Sequence, residues 1–409
     1  MSDLRCRLCA APLRHTFIDL GATPLANAYV APDKQDAIET FYPLHVRVCS
    51  ECLLVQLPEL ASPQEIFTDY AYFSSYSDSW LEHCRAFVAE AARRYALGSG
   101  SRVVELASND GYLLQYFKSA GIPVLGIEPA ANVAAAAQAK GIETLVRFFG
   151  TALARELAAA GRRADLIVAN NVLAHVPDLN DFIAGVKRLL APGGAATVEF
   201  PHLLNLIAEC QFDTIYHEHF SYFSFAVAER AFARQGLAVV DVETLPTHGG
   251  SLRLHVRHAG AAVPTPAVAA LRAREEAAGL GRLETYTGFA RRAEALRNEL
   301  VAFLEAQKRA GKKVAGYGAA AKGNTLLNYC GLRPELLPYV ADRSREKQGR
   351  LLPGTRIPVV SPEQLLERRP DVVLILPWNL KSEIMSQLAA VRGWGGKFAV
   401  AVPAMRVLA

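Results

Sequence analysis

Short apolar runs alternate with alanine-rich, helix-forming stretches in the middle of the chain. Four of these runs are nearly continuous, which is typical of parallel strands buried on both faces. They occupy residues 102–106, 123–127, 165–169 and 195–200. Helix-forming segments at 130–140 and 151–160 separate them. Strand–helix alternation at this spacing predicts a doubly wound α/β sheet.

A second α/β series begins at Lys312, with apolar runs at 313–318, 336–342, 371–377 and 397–403. The region before it, 266–310, consists mostly of helix formers with a break at 279–281, and 251–258 alternates like a strand. Residues 1 to about 60 show only short, irregular apolar patterns. The pattern therefore predicts three consecutive domains, at 1–70, 71–260 and 261–409.

Composition limits the classes of protein that this chain can belong to. Hydrophobic residues make up 51% of the 409 residues and charged residues 21%, which favours packed cores over disorder. The net charge of +4 gives no electrostatic reason to expect a nucleic-acid partner. We find no signal-peptide pattern and no run of eighteen apolar residues, so we expect a cytoplasmic protein without a membrane partner.

Four of the seven cysteines form two CxxC pairs, which are separated by 39 residues. The pairs are Cys6, Cys9, Cys49 and Cys52. Two such knuckles can supply four thiolates to one tetrahedral metal ion, and a closed set of four protein ligands indicates structural zinc. A redox CxxC pair and a nucleic-acid zinc ribbon are the alternatives, and the small net charge disfavours the ribbon.

The segment 102–114, "RVVELASNDGYLL", reads as a strand, a turn and the start of a helix. Glu128 ends the next strand, 23 residues after Glu105, a spacing that suits recognition of a ribose. The fingerprint GxGxxG is absent, which favours S-adenosylmethionine over a dinucleotide; a generic capped turn is the alternative. The candidate cofactor residues, which include two at the end of a later strand, are Glu105, Ala107, Ser108, Asn109, Gly111, Glu128, Asn170 and Asn171.

Residues 214–224, "TIYHEHFSYFS", concentrate histidine, glutamate and tyrosine in one place. The spacing HExxH of zinc proteases is absent, so a catalytic zinc site is disfavoured. From the residues alone, a surface loop and a catalytic centre both remain open.

Taken together, the motifs resemble those of the nucleotide-sugar C-methyltransferases that build branched deoxysugars. The resemblance covers essentially the whole chain and rests on "LGATPLAN" (20–27), "YFSSYSDSW" (72–80), "VELASNDGYLL" (104–114), "NNVLAHVPD" (170–178), "FDTIYHEHFSYFS" (212–224), "THGGSLR" (247–253), "GYGAAAKGNTLLN" (316–328) and the paired CxxC motifs. It implies a small N-terminal zinc-binding domain, a central Rossmann-like domain for S-adenosylmethionine and a C-terminal Rossmann-like domain that helps to hold the sugar nucleotide.

Methylation at carbon needs a carbanion equivalent, which a sugar provides next to a ketone as an enolate. Such an enzyme needs a base near the acidic C–H and a donor near the developing oxyanion. An imidazole can accept a proton at neutral pH, so His219 is the expected base. The resemblance further implies catalytic roles for Tyr216, Glu218, His175 and Tyr76, with the last two facing the sugar.

The C-terminal turn "GYG" precedes a helix and could bring backbone amides and Lys322 close to a sugar diphosphate. A dinucleotide site is the weaker alternative, and ordinary loop residues are the other. The candidate substrate-binding residues are Lys322, Asn324, Asp342, Trp378, Asn379, Lys381 and His248.

We therefore predict an S-adenosylmethionine-dependent C-methyltransferase that acts as a monomer on a small-molecule nucleotide sugar. The predicted substrate is a TDP-linked 4-keto-deoxysugar, methylated at C3. Methylation at oxygen or nitrogen of a small molecule is the alternative reaction, and a non-enzymatic binding module is the alternative class.

Overall fold

The structure, a computed structural model, describes residues 4–62, 64–65, 73–76 and 78–408. It forms two compact units, each assembled from segments that are not consecutive in the chain. Unit 1 comprises Met1–Leu13, Cys49–Leu204 and Phe220–Gly281, and unit 2 comprises Arg14–Val48, Asn205–His219 and Arg282–Ala409. The three consecutive domains expected from the sequence stay a prediction.

The strands are β1 (His15–Thr23), β2 (Tyr42–Val48), β3 (Val55–Gln56), β4 (Val103–Leu106), β5 (Val124–Ile127), β6 (Thr144–Leu145), β7 (Ala164–Asn170), β8 (Leu190–Pro201), β9 (Ser221–Tyr222), β10 (Leu237–Leu245), β11 (Ser251–His258), β12 (Val314–Tyr317), β13 (Val340–Ala341), β14 (Val359–Val360), β15 (Val372–Ile375), β16 (Lys397–Val400) and β17 (Arg406–Leu408).

The α-helices are α1 (Asp78–Arg94), α2 (Leu114–Ser119), α3 (Ala131–Ala139), α4 (Thr151–Ala159), α5 (Leu179–Leu189), α6 (Leu203–Ala208), α7 (Phe225–Arg234), α8 (Pro266–Ala277), α9 (Leu283–Thr287), α10 (Phe289–Arg309), α11 (Ala321–Tyr329), α12 (Pro362–Arg368) and α13 (Lys381–Gln387). Among the helices of the described residues, none has the length and apolar character needed to cross a bilayer.

Unit 1 contains a seven-stranded sheet in the order β10-β11-β8-β7-β4-β5-β6. The strands from β8 to β6 are parallel, whereas β10 and β11 are antiparallel. Successive side chains of the parallel strands pack into two different apolar clusters. Val104 and Ile167 belong to one cluster, and Val103 and Val168 belong to the other. Burial on both faces explains the continuous apolar runs, and each buried side chain contributes about 1.5–3 kcal/mol.

Unit 2 contains a six-stranded sheet in the order β14-β13-β12-β15-β16-β17, parallel except for the last pair. The hairpin of β1 and β2 packs against the helices that precede this sheet. Phe17 of β1 stacks on Phe289 with ring centroids 4.6 Å apart, and Tyr286 meets it edge-on. The aromatic contacts bind an N-terminal hairpin to helices that begin more than 250 residues later.

The structure confirms the α/β class with Rossmann-like sheets and places strands and helices at the predicted segments. It also shows what the sequence pattern missed. Residues 15–23 and 42–48, which look irregular, form the long hairpin β1–β2. Two bulge-like register shifts interrupt β1, and they break the alternation that normally reveals a strand.

Candidate functional site

The four paired cysteines come together in unit 1. Their sulfur atoms all lie within 4.8 Å of one another, and Cys6–Cys52 and Cys9–Cys49 are each separated by 3.5 Å. Hydrogen bonding with Cys52 lowers the pKa of Cys6 below its usual range. Four sulfur donors in a compact, largely buried cluster are the set that structural zinc takes, so the residues fit the metal.

Both knuckles have the same local structure. Ala10 donates its amide to Cys6 O at 2.8 Å, and Leu53 donates its amide to Cys49 O at 2.9 Å. The residue that follows each pair is left-handed, with φ of 63° at Ala10 and 61° at Leu53. The two pairs therefore reach the cluster from turns of matching backbone conformation.

The predicted cofactor turn follows β4 and is built from left-handed residues. Ala107, Asn109 and Gly111 have φ of 54°, 50° and 76°. A Cβ at Gly111 would lie 2.4 Å from the end of the Ile142 side chain and would add strain at a left-handed φ, so both effects favour glycine there. Glu105 is fully buried near the end of β4, and burial raises its pKa well above the usual range.

Glu128 lies directly after β5, where the sequence places a ribose ligand. Its carboxylate accepts from the amides of Asn109 and Ala130, both at 2.9 Å. Burial raises its pKa. The carboxylate is thereby held rigidly against the cofactor turn.

Buried polar atoms without partners collect at the carboxyl ends of the unit 1 strands. Within the described residues, neither polar side-chain atom of Asn170 has a hydrogen-bond partner, nor does the hydroxyl of Ser108. Such orphaned groups cost free energy unless a ligand or water satisfies them. Together with the left-handed turn and Glu128, they fit an adenosyl and methionyl ligand.

The turn Ser74–Tyr76, which carries the candidate Tyr76, is attached to the cofactor turn. The Ser74 amide donates to Asn109 Oδ1 at 3.0 Å. The Tyr76 side chain is 57% exposed and its ring lies 5.7 Å from that of Phe73. Tyr72 and Ser77 of the same motif lie outside the described residues. His175 ends the short 3-10 turn Leu173–His175 after β7, also in unit 1.

A buried polar network that the sequence analysis missed surrounds Glu199 of β8. This carboxylate accepts from Arg253 at 3.0 Å and from the Thr247 hydroxyl at 2.9 Å, and contacts His83 Nε2 at 3.2 Å. Hydrogen bonding from His83 and the charge of Arg253 outweigh burial and lower the pKa of Glu199.

His248, a candidate substrate ligand, is left-handed at φ 53° and contacts Asn171 Nδ2 through Nε2 at 3.1 Å. Arg253 lies inside the network around Glu199, so its charge is used within the fold. The pairing of β8 with β11 places Arg253 opposite Glu199. No local motif reveals this long-range register.

In unit 2, Tyr216 and His219 share one tight turn. The His219 amide donates to Tyr216 O at 2.9 Å, and the two rings lie 4.0 Å apart. His219 Nδ1 lies 2.9 Å from Thr214 O. A carbonyl oxygen only accepts, so Nδ1 carries the hydrogen, and a neutral ring keeps its lone pair on Nε2.

Glu218, on the same turn, is buried and accepts from Asn27 Nδ2 at 2.6 Å. Asn27 ends the motif "LGATPLAN", which supported the resemblance without having an assigned role. His217 instead directs Nε2 at the carbonyl oxygens of Tyr42 and Pro43, and burial lowers its pKa. His217 is thus a scaffold residue.

Three candidate substrate residues of unit 2 form one cluster. The Lys322 ammonium donates to Asn379 Oδ1 at 2.8 Å and lies 4.9 Å from the centre of the Trp378 ring. The Trp378 indole donates to Asp213 Oδ2 at 2.8 Å. Burial raises the pKa of Asp213 to about 6, while the charge of Lys322 opposes that rise. Asp213, three residues before Tyr216, was not predicted.

Two of the remaining candidates, Asp342 and Asn324, contact backbone groups of the chain. Asp342 accepts from the amides of Ala319 and Ser344 at 2.7 and 2.8 Å, so this amide of the glycine turn already donates to a carboxylate. Asn324 is buried and donates to Ala26 O at 2.5 Å. Lys381 lies exposed at the start of α13.

Three family models match consecutive parts of the chain. They are described as "Putative zinc binding domain" over residues 6–67, "Methyltransferase domain" over 79–242 and "C-methyltransferase C-terminal domain" over 246–403.

Among curated proteins, the chain is similar to C-methyltransferase NovU of Streptomyces niveus, with 38% identity over 404 residues that cover 98% of this chain and 96% of that protein. It also matches a ubiquinone biosynthesis O-methyltransferase of Rhodopseudomonas palustris, with 31% identity over 28% of this chain and 45% of that protein.

Among solved structures, magnesium protoporphyrin IX methyltransferase of Synechocystis with bound SAM matches with a TM-score of 0.33 and 17% identity, over 43% of this chain and 79% of that one. An S-adenosylmethionine-dependent methyltransferase of Clostridium acetobutylicum matches with a TM-score of 0.37 and 12% identity, over 46% and 94%.

Proposed function

Because the chain belongs to the S-adenosylmethionine-dependent C-methyltransferase family, we propose that it methylates C3 of a TDP-linked 4-keto-deoxysugar through an enolate. The contact of His219 Nδ1 with Thr214 O at 2.9 Å is the observation that carries this proposal. The hydrogen bond from Nδ1 to Thr214 O leaves the basic lone pair at Nε2.

His219 takes the proton from the carbon next to the ketone. The carbonyl that orients His219 is itself held in place, because both the amide and the hydroxyl of Thr214 donate to Gln211 O, at 3.1 and 2.7 Å. A base in a fixed orientation loses little entropy when it reacts.

Tyr216 donates its hydroxyl to the ketone oxygen as negative charge develops there. Its ring packs on the imidazole of His219 at 4.0 Å, so one turn presents an acid and a base to neighbouring atoms of the substrate. Glu218 orients this turn through Asn27. Among curated relatives, NovU matches 98% of this chain, whereas the O-methyltransferase matches 28% of it.

Tyr76 and His175 complete the proposed set of catalytic residues and handle protons at the sugar. Asn109 fixes the turn that carries Tyr76, so a residue of the cofactor loop also positions a residue of the substrate site. Asn109 is therefore the structural link between donor binding and catalysis within unit 1.

The turn after β4 holds S-adenosylmethionine together with the side chains of Glu105, Glu128, Asn170 and Asn171. When bound there, it supplies an electrophilic methyl group on a sulfonium centre. Glu128 accepts from the ribose hydroxyls, and Asn170 satisfies its buried amide on the ligand. Zinc is held in a structural role by the thiols of Cys6, Cys9, Cys49 and Cys52.

Lys322 provides the positive charge for the sugar diphosphate, with Trp378 and Asn379 beside it. The ammonium donates to Asn379 and has further hydrogens to give to phosphate oxygens. Asp342, Asn324, Lys381 and His248 are less direct candidates, because the first two already bind backbone groups of the chain.

The proposal is tested without the methyl donor. The enzyme is incubated with a TDP-4-keto-6-deoxysugar in heavy water, and deuterium entry is followed by mass spectrometry. We expect exchange at the carbon next to the ketone, and its loss in His219→Asn. The matched control His217→Gln alters a scaffold histidine two residues away and should keep exchange at the wild-type rate per folded molecule.

Exchange that persists in His219→Asn would remove His219 from the role of base. With the methyl donor present, a labelled methyl group on oxygen or nitrogen of the product would refute methylation at carbon. No turnover of TDP-linked sugars, together with turnover of another keto substrate, would refute the substrate class alone.

A further inference from the structure

Arg7 lies inside the first CxxC pair and is held by its own backbone. Its amide donates to Gln56 Oε1 at 2.9 Å, while Gln56 Nε2 donates to Cys6 Sγ at 3.1 Å. Asn180 Nδ2 donates to Arg7 O at 3.0 Å. The main chain of Arg7 is therefore fixed to the thiol cluster, to β3 and to the start of α5.

The side chain of Arg7 reaches away from the thiols and bridges two other segments. One guanidinium nitrogen donates to Pro177 O at 2.8 Å, and another donates to Leu57 O at 2.5 Å. The guanidinium carbon lies 5.4 Å from the centre of the Phe220 ring. A planar fork with several donors can serve two carbonyl oxygens at once, which a lysine cannot do in the same geometry.

The two bridged segments flank His175. Pro177 lies two residues after it, and Leu57 belongs to a short backbone ladder that runs to the residue before it. In that ladder the Leu57 amide donates to Phe220 O at 3.0 Å, and the Phe220 amide donates to Ala174 O at 2.7 Å. Both sides of the turn Leu173–His175 are thus connected to the guanidinium.

We infer that Arg7 is a positioning residue, through which the metal knuckle sets the placement of His175. The assignment rests on the proposed function of His175. In this arrangement the zinc cluster fixes the position of the turn that carries His175, in addition to stabilising the fold. A shift of about 1 Å at such a site can reduce the rate about 100-fold.

An open depression of the surface makes the arrangement testable by chemical rescue. It is lined by Arg7, Glu59, Pro177 and Asp178. In Arg7→Ala, a guanidinium ion can enter it and donate to the carbonyl oxygens that the side chain has left.

The experiment compares Arg7→Ala and Arg7→Lys in the full chain, with Arg5→Ala as the matched control. Arg5 is also adjacent to Cys6, but it is exposed, and among the described residues its side chain donates to Ala10 O of the same knuckle. Zinc content, the Kd for S-adenosylmethionine, kcat, KM and amide hydrogen exchange are measured for each protein.

We expect both Arg7 variants to keep one zinc ion per chain and to bind S-adenosylmethionine within about threefold of wild type, because Arg7 lies outside both ligand sets. Exchange of the His175 and Phe220 amides should become at least about tenfold faster, and kcat should fall about 10–100-fold with a smaller change in KM. Millimolar guanidinium should restore part of both losses in Arg7→Ala. Arg5→Ala should match wild type.

Three results would overturn the assignment. These are unchanged exchange at His175 and Phe220 in a zinc-loaded Arg7 variant, wild-type behaviour of Arg7→Lys, and loss of zinc in both variants, which would make Arg7 part of the metal knuckle only. The exchange measurement needs no substrate. Failure of the wild-type enzyme on keto sugars would therefore count against the proposed function, while the effect of Arg7 on this turn would still be decided.

Discussion

The side-chain amide of Asn27 donates to Oε1 of Glu218 at 2.6 Å, across 191 residues of sequence. This contact holds a buried carboxylate one residue from the proposed base. It ties the motif "LGATPLAN", which runs from the end of β1 into the connection to β2, to the turn that carries Tyr216 and His219.

We expect Asn27→Ala to lower the free energy of unfolding by about 1.5–3 kcal/mol, because a buried charged acceptor loses a donor. The deuterium exchange rate of the substrate should fall about tenfold in Asn27→Ala. It should fall further in Asn27→Asp, because that change places a second carboxylate beside Glu218. Denaturant unfolding and the exchange assay measure these effects. Asn298→Ala, on the exposed face of α10, is the control, and an effect of the same size there would contradict the argument.

Removal of zinc should first unfold the two CxxC knuckles. Any effect on methyl transfer should follow from that unfolding. Cys49→Ser should lose zinc and unfold at a lower temperature, since metal binding supplies folding free energy to this small segment. Cys330→Ala, outside the cluster, should keep one zinc ion per chain. Colorimetric zinc release and calorimetry measure both. Full activity of a folded, metal-free protein would refute any requirement for zinc.

Glu128→Gln should weaken binding of S-adenosylmethionine about 10–100-fold, which corresponds to about 1.5–3 kcal/mol. The amide that replaces the carboxylate also faces the donors Asn109 N and Ala130 N, so it disturbs the turn as well as the ribose contact. Titration calorimetry gives the Kd. The matched control is Glu143→Gln, an exposed carboxylate after α3 that pairs with Arg162; equal weakening there would indicate a general charge effect.

Asp213 should make stability depend on pH in a defined direction. Burial raises its pKa to about 6 in the folded protein, above the ordinary aspartate value of 3.8, so the folded state holds a proton that the unfolded state releases. Its contribution is therefore present at low pH and is lost as pH rises through about 6. Between pH 5 and 7, wild type should lose about 1 kcal/mol relative to Asp213→Asn.

Urea unfolding of both proteins at several pH values measures that difference. Asp36→Asn makes the same charge change at an exposed position and serves as the control. A gap between wild type and Asp213→Asn that stays constant, or changes in the opposite direction, would show that Asp213 is ionised throughout this range.

The sequence predicted those features that depend on local patterns. Continuous apolar runs gave the parallel strands, and the paired CxxC motifs gave the thiol cluster, because both signals lie within a few residues of each other. The segment around His219 could be singled out by its composition, but its chemistry came from the resemblance to a family. The structure adds the hydrogen bond to Thr214 O, which defines the tautomer.

The features that the sequence did not reveal depend on distant pairings. Glu199 meets Arg253 only because β8 and β11 pair in one register, and Asn27 meets Glu218 only because a hairpin reaches a distant turn. Arg7 lies within a metal motif, and the sequence assigned it no role. Its partners, Leu57 and Pro177, are backbone carbonyls, which every residue has and which therefore leave no trace in a sequence.

The hydrogen bond from the Ala319 amide to Asp342 joins the turn after β12 to the end of β13. The other oxygen of the same carboxylate accepts from the Ser344 amide, so one side chain fastens two loops at the carboxyl ends of adjacent parallel strands. A ligand that needs the Ala319 amide must therefore displace a contact that is already in place.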